Sequence, residues 1–264
     1  MNKSEIIDFL KEHFDCCPKN VIEMCQIYTE YDYDEPFKEY YNYFKDAVGA
    51  SKVMNGISKL VVFFDAYPNY VFKIPFYGYL EIPEADEDDY KDCAALGKLC
   101  PWYSRDDIKY YKCASHDNEY PVLNDDYCAA EAYLYTLAKK AKVASMLAKT
   151  IYLGKVCGLD VYVSECVPSE YNCNIASKTS KHSVDRARKI LTNSNKKYNL
   201  YSELYAGELA IFIENYGVNA AKRLINFVNE NHIGDFHSGN FGIDANGRIK
   251  IIDYSGFYDD EVFS

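Results

Sequence analysis

The residues best equipped for chemistry lie late in the chain, in His232-Ile233-Gly234-Asp235-Phe236-His237-Ser238-Gly239-Asn240-Phe241-Gly242 and in Ile251-Ile252-Asp253-Tyr254. Magnesium is a hard cation that takes carboxylate and amide oxygens, and one or two protein ligands suffice beside phosphate and water. Asn240 and Asp253 are the right types for that task. Asp235 is then a carboxylate free to orient or deprotonate an acceptor hydroxyl. Phosphoryl transfer asks the protein for little more than this positioning and charge neutralisation.

Such side chains act together only if local elements gather them. Phe241–Ile243 and Ile249–Ile252 flank Asp244-Ala245-Asn246-Gly247, and an Asn-Gly pair between apolar runs predicts a hairpin that returns Asp253 towards Asn240. Helices over 202–216 and 219–231 are expected to lead into the loop that holds Asp235. The polar stretch 169–199 reads as a loop.

Upstream, the β-rich runs Lys59–Phe64 and Tyr70–Phe76 surround turn residues 65–69 and predict an antiparallel hairpin. Strands are also expected at Thr150–Leu153 and Val161–Cys166, and a helix over Asp126–Val143 containing Glu131. Residues 77–124, acidic and rich in cysteine, proline and tyrosine, are expected to be irregular. Residues 3–48 read as helical, with Ser4 as the N-cap.

The joint pattern resembles the catalytic loop and metal-binding hairpin of the protein-kinase-like superfamily. Five positions separate Asp235 from Asn240 and thirteen separate Asn240 from Asp253, as in that family. Lys73 in Val71-Phe72-Lys73-Ile74 resembles the family's strand lysine, which reaches the α and β phosphates, and Glu131 resembles its helical partner, with Glu119 as a competitor. The resemblance makes Ser164-Glu165-Cys166-Val167 the hinge, whose backbone at Glu165 and Val167 would meet adenine. Gly56, in Gly56-Ile57-Ser58-Lys59, is the candidate phosphate cover. The implied cofactors are ATP and Mg²⁺.

The departures from the family are as specific. No Gly-x-Gly-x-x-Gly precedes the first hairpin, Ile233 stands where many kinases have His, and Tyr254-Ser255-Gly256 puts the glycine one place late. His237 takes the position of a lysine, so Gly-Asp-Phe-His-Ser-Gly-Asn is closer in style to aminoglycoside and choline phosphotransferases. Only eleven residues follow Asp253, without the later helices on which such enzymes build acceptor sites. Short kinase-like proteins of bacterial viruses are similar in this respect.

Bulk properties bound these readings. At 264 residues, with 48% hydrophobic and 26% charged side chains, the chain has the composition of a globular protein with a substantial core. A net charge of −11 and the lack of a basic stretch exclude nucleic acid as an expected partner. The acidic run Glu84, Asp86, Glu87, Asp88, Asp89 reads as a solvated loop, or else a docking strip for a basic partner. With no long apolar run and no signal peptide, the expectation is a cytoplasmic protein, in a host cytoplasm if viral, that binds no membrane. Its ten cysteines are then expected to be reduced. Cys93, Cys100, Cys113 and His116 could supply four zinc ligands, but their irregular spacing, with no Cys-x-x-Cys, favours free thiols.

The expected fold is α+β and bilobal. It comprises a helical extension (1–54), a β-rich lobe (55–166, with the 77–124 insertion) and a reduced helical lobe (167–264). Two functions fit: an ATP–Mg-dependent phosphotransferase with an unknown protein or small-molecule acceptor, or a nucleotide-binding, pseudokinase-like interaction module that docks on and inhibits a host protein.

Overall fold

The computed structural model describes residues 2–14, 42–55, 59–75, 79–81, 108–112, 119–124, 127–169, 179–194, 206–231, 233–234, 236 and 238–255. It is a mixed helix-and-sheet structure. The chain divides into two compact units: Met1–Ala130 with Ile151–Ser164 and Asp259–Ser264, and Glu131–Thr150 with Glu165–Tyr258.

The first unit is organised by a five-stranded antiparallel sheet. Its strands are β1 (Lys52–Asn55), β2 (Lys59–Phe63), β3 (Tyr70–Pro75), β7 (Thr150–Val156) and β8 (Leu159–Glu165), in the order β1-β2-β3-β8-β7. The β2–β3 hairpin forms as its branched and aromatic residues require, with Val61 opposite Lys73. Two turns close it, from the Tyr67 N–H to the Phe64 carbonyl (2.9 Å) and from the Tyr70 N–H to the Tyr67 carbonyl (3.0 Å). β7 and β8 join at Cys157-Gly158, where both φ angles are positive (51° and 90°), the twist a two-residue hairpin prefers.

One sheet face is covered by α1 (Lys3–Phe14), whose Ile6, Leu10 and Phe14 recur every fourth residue. They pack with Phe44, Leu60, Val62, Phe72, Ile74, Val161 and Val163. Burial of each such side chain stabilises the unit by roughly 1.5–3 kcal/mol. The rings interlock edge to face, Phe14 on Phe44 and Phe64 on Phe72. The helix is capped by Asn2 rather than Ser4. The Asn2 Oδ1 accepts from the Ser4 N–H at 3.3 Å, so the oxygen that meets the free amide lies two residues earlier than the sequence pattern predicts.

Two further expectations for this unit are corrected. β1 begins at Lys52, inside the stretch assigned to the helical extension. Within 77–124, the strands β4 (Tyr79–Glu81), β5 (Ile108–Lys112) and β6 (Glu119–Asn124) form a sheet of order β4-β6-β5. Pro121 sits in the middle strand, opposite Tyr110, and a proline there argues against a central strand when only the sequence is read.

The second unit is mainly helical: α2 (Tyr127–Lys140, belonging to this unit from Glu131), α3 (Lys181–Ser194), α4 (Ala206–Tyr216) and α5 (Val218–Glu230). Lys142 takes the left-handed conformation after α2 (φ 59°), and the Val143 N–H reaches back to the Ala138 carbonyl at 2.9 Å. α3 corrects the loop expected over 169–199. Its apolar stripe is narrow, with Ser183, Ala187 and Ile190 the buried residues among many polar ones, so the helical period is faint. Ser180 caps α3 through the Ser183 N–H (3.2 Å) and donates its own N–H to Glu214 on α4 (2.9 Å). That bond outweighs partial burial and holds the Glu214 carboxyl below its ordinary pKa.

β9 (Phe241–Ile243) and β10 (Ile249–Ile251) form the expected hairpin. Gly247 is left-handed (φ 75°), and the Asp244 Oδ1 accepts from the N–H groups of Asn246 (2.9 Å) and Arg248 (3.0 Å). Among the described residues no helix is long and apolar enough to cross a membrane.

Candidate functional site

The hairpin decides where Asn240 and Asp253 stand. Asn240 is the last residue of a short 3₁₀ turn, Ser238–Asn240, and is buried. Its carbonyl accepts from the Ile252 N–H at 2.8 Å, which extends the β9–β10 ladder by one bond and leaves Asp253 next in line. Asp253 is partly exposed, and its Oδ1 accepts from the Ser255 hydroxyl at 3.1 Å. An amide and a carboxylate beside one strand end are a hard-oxygen pair, and magnesium needs no larger protein donor set. Among the described residues there is no cluster of three or more His, Cys, Asp or Glu.

Behind this pair is a polar interior. Tyr254 is fully buried, and its hydroxyl donates to the Ala148 carbonyl at 2.8 Å. Burial raises its pKa well above the usual phenol value, and the Glu131 and Asp253 carboxylates push it further the same way while the Thr150 hydroxyl opposes. Thr150 also donates to the Glu131 Oε2 at 3.2 Å. Glu131 itself has 0% exposure. Glu131 and Asp253 thus both act on a single phenol. Glu119 lies on β6 rather than a helix, so Glu131 is the helical candidate.

The segment leaving β8 is fastened to the same hairpin. The Lys250 ammonium lies 2.6 and 2.7 Å from the two Glu165 carboxylate oxygens. The Glu165 N–H donates to the Lys149 carbonyl at 2.9 Å, so an adenine contact by Glu165 must use its carbonyl. Val167 is buried. Ser169 bridges Gly242, and a Cβ at Gly242 would fall 2.6 Å from the Pro168 carbonyl oxygen and 2.8 Å from Val167 Cγ1. Only glycine permits that approach.

No protein-family model, curated protein or solved structure matches this chain. The residues must therefore be weighed on their own geometry.

Lys73 belongs to the first unit and is 5% exposed. Phe72 and Ile74 enter the core, so strand alternation turns Lys73 to the opposite face. Asp235 and Gly56 lie outside the described residues, as do Cys93, Cys100, Cys113, His116, His232 and His237. The neighbours of Asp235 are fixed: Ile233 and Phe236 are buried, and Phe236 stacks on Phe241 with ring centroids 6.1 Å apart.

Sequence reasoning missed Tyr254, Thr150 and Lys250. The one available signal was an aromatic directly after Asp253. Tyr216 was missed as well: its hydroxyl lies 3.0 Å from the Ser145 carbonyl and 2.9 Å from that of Ile249, while Asn215 Oδ1 accepts from the Ile249 N–H at 2.8 Å. Together they bind β10 to the end of α4.

Proposed function

We propose that the chain is an ATP–Mg-dependent phosphotransferase of bilobal protein-kinase-like fold, acting on a protein or small-molecule hydroxyl. The observation that carries this reading is the 2.8 Å bond from the Ile252 N–H to the Asn240 carbonyl, which joins the backbone of Asn240 to the residue just before Asp253 at one end of the hairpin. The buried polar interior beside it, where the Thr150 hydroxyl donates to the Glu131 Oε2 at 3.2 Å, supports it. So does the order of parts along the chain: a strand lysine, a helix glutamate, then Asp235 in the sequence, then a hairpin.

In this reading Lys73 meets the phosphate oxygens and Glu131 is its helical partner. Asn240 and Asp253 are the metal ligands. When bound, magnesium neutralises charge that develops on the phosphate oxygens. Asp235 orients the acceptor hydroxyl and takes its proton. The acceptor oxygen bonds to the γ-phosphorus, the bond to the β–γ bridging oxygen breaks, and ADP leaves with that electron pair.

The test is incubation with γ-labelled ATP and Mg²⁺, alone and with cell extract, alongside calorimetry of ATP binding. The wild type is expected to transfer label. Asp253→Asn should lose the magnesium dependence of binding. Asp235→Asn should bind ATP almost normally and transfer about 10²- to 10⁴-fold more slowly. Binding without any transfer would replace the enzyme by the nucleotide-binding interaction module. Absence of both would overturn the nucleotide reading itself.

A further inference from the structure

The exposed side of α3 is basic. His182, Arg186 and Lys189 recur at intervals of four and three residues, so they line one stripe of the helix, and all three are exposed. Lys181 is exposed as well. The one acidic residue of the helix, Asp185, is joined to Arg188 at 3.5 Å. Among the described residues no side-chain hydrogen bond or ion pair engages Lys181, His182, Arg186 or Lys189. The stretch 178–197 holds seven Lys and Arg against the single Asp185, a basic segment that the chain's net charge of −11 conceals. The second unit, with fifteen Lys and Arg against eleven Asp and Glu, has the opposite sign to the whole chain.

This arrangement is unfavourable to the helix itself. Lys181 stands in the first turn, where the macrodipole favours an acid, and no acidic residue occupies that turn. Arg186 and Lys189 are like charges three residues apart and repel along one face. A merely solvated helix relieves both by mixing signs. Capping by Ser180, and its N–H bond to Glu214, hold α3 in place nevertheless. Local rules broken on an exposed and fixed element mark a surface shaped for contact.

The size of the stripe selects the partner. It covers two helical turns, about 10 Å. A nucleic-acid duplex or an anionic bilayer presents charge far beyond that length, and meets the net charge of −11 as a whole. A short run of carboxylates meets the stripe alone, and Arg186 can take one carboxylate through two parallel N–H bonds.

We propose that the exposed face of α3 is a docking surface for an acidic segment of a partner protein, held by Arg186 and Lys189 with His182 beside them. The proposal does not rest on the nucleotide reading, and its test uses no nucleotide.

The experiment follows the fluorescence anisotropy of a labelled oligoglutamate peptide titrated with the full chain. Binding is expected, and should weaken as salt rises from about 0.05 M to about 0.5 M. The double variant Arg186→Glu/Lys189→Glu should lose about 10- to 100-fold in affinity, since each reversal replaces an attraction by a repulsion. Lys3→Glu/Lys11→Glu, at exposed positions of α1, makes the same change in net charge and should stay within about threefold of wild type. Should the Arg186→Glu/Lys189→Glu protein fail to fold, Arg186→Gln/Lys189→Gln removes the charges without reversing them and takes its place.

Equal losses in the α3 and α1 variants would reduce the effect to net charge and overturn the proposal, as would a wild type that does not bind the peptide. Tighter binding of an oligothymidylate or of phosphatidylserine vesicles would overturn it in favour of a nucleic acid or a membrane. Sedimentation of the chain alone gives the last outcome. Self-association that disappears in the α3 variant would make the acidic run Glu84, Asp86, Glu87, Asp88, Asp89 of a second copy the occupant, and would overturn the claim of a separate partner.

Discussion

In the first unit the interior is built from Ile6, Leu10, Phe14, Phe44, Leu60, Val62, Phe72 and Ile74, while the buried polar residues Lys59, Lys73 and Ser164 alternate onto the opposite face of the sheet. In the second unit polar groups run through the interior itself: Glu131, Thr150, Asn229, Asn240, Tyr254 and Ser255 are all buried. Apolar packing is non-directional and tolerates changes that conserve volume. Buried polar networks stabilise only when their members are satisfied in one geometry. The first unit is thus a platform that keeps its chemical groups on one side, and the second fixes the direction of each group by hydrogen bonding.

The largest effect should come from the platform. Phe72→Ala removes a fully buried ring that packs edge to face on Phe64, and should destabilise the protein by about 3–5 kcal/mol in urea unfolding. A loss below about 1 kcal/mol would show that this core is looser than the comparison requires.

A middle-sized effect is expected where the second unit fastens the hairpin. Lys250→Met removes the cation that meets both oxygens of Glu165, in a pair with side-chain exposures of 12% and 32%. It should cost about 1–2 kcal/mol, between the values for exposed and charge-assisted buried contacts. A double-mutant cycle with Glu165→Gln isolates the pair. Strict additivity would mean that the contact is ornamental.

The smallest effect is confined to alkaline solution. Burial, and then the Asp244 carboxylate, push the Tyr216 phenol up to about 12 from an ordinary value of 10.0. A raised folded-state pKa stabilises the neutral form, so this contribution is complete below pH 10 and is lost as pH rises towards 12. Tyr254 and Tyr135, also raised by burial, act in the same direction. Tyr216→Phe should therefore be the less stable protein at neutral pH, with a deficit that shrinks in strong alkali. A deficit that is the same at both ends would remove Tyr216 from the account.

The parts of this structure that could be read in advance are those fixed by neighbours in sequence. Lys59–Phe64 and Tyr70–Phe76 declared a hairpin because branched and aromatic residues flank a turn, and Asn246-Gly247 declared the second. α4 and α5 were legible from their apolar faces, with the break between them at Gly217 (φ 84°). α3 was hidden by its narrow apolar stripe, and β6 by Pro121. Residue type and spacing singled out Asn240 and Asp253, while Lys73 and Glu131 came from the family resemblance. The bonds that give the second unit its order were not legible. Tyr254 reaches Ala148, 106 positions away, and Lys250 reaches Glu165, 85 positions away. Such partners are chosen by the tertiary fold, and no local pattern announces them.

Gly242 carries a genetic consequence. Every single-base change that replaces a glycine codon by another amino acid's introduces a Cβ, and at 242 that atom would fall 2.6 Å from the Pro168 carbonyl oxygen. Neutral drift is closed at this position until the backbone at 167–168 gives way first. Substitutions in the hairpin and in the segment leaving β8 must then be acquired in a fixed order, and a library randomised at 242 alone should return glycine, while one randomised together with 167–169 has a path to other residues.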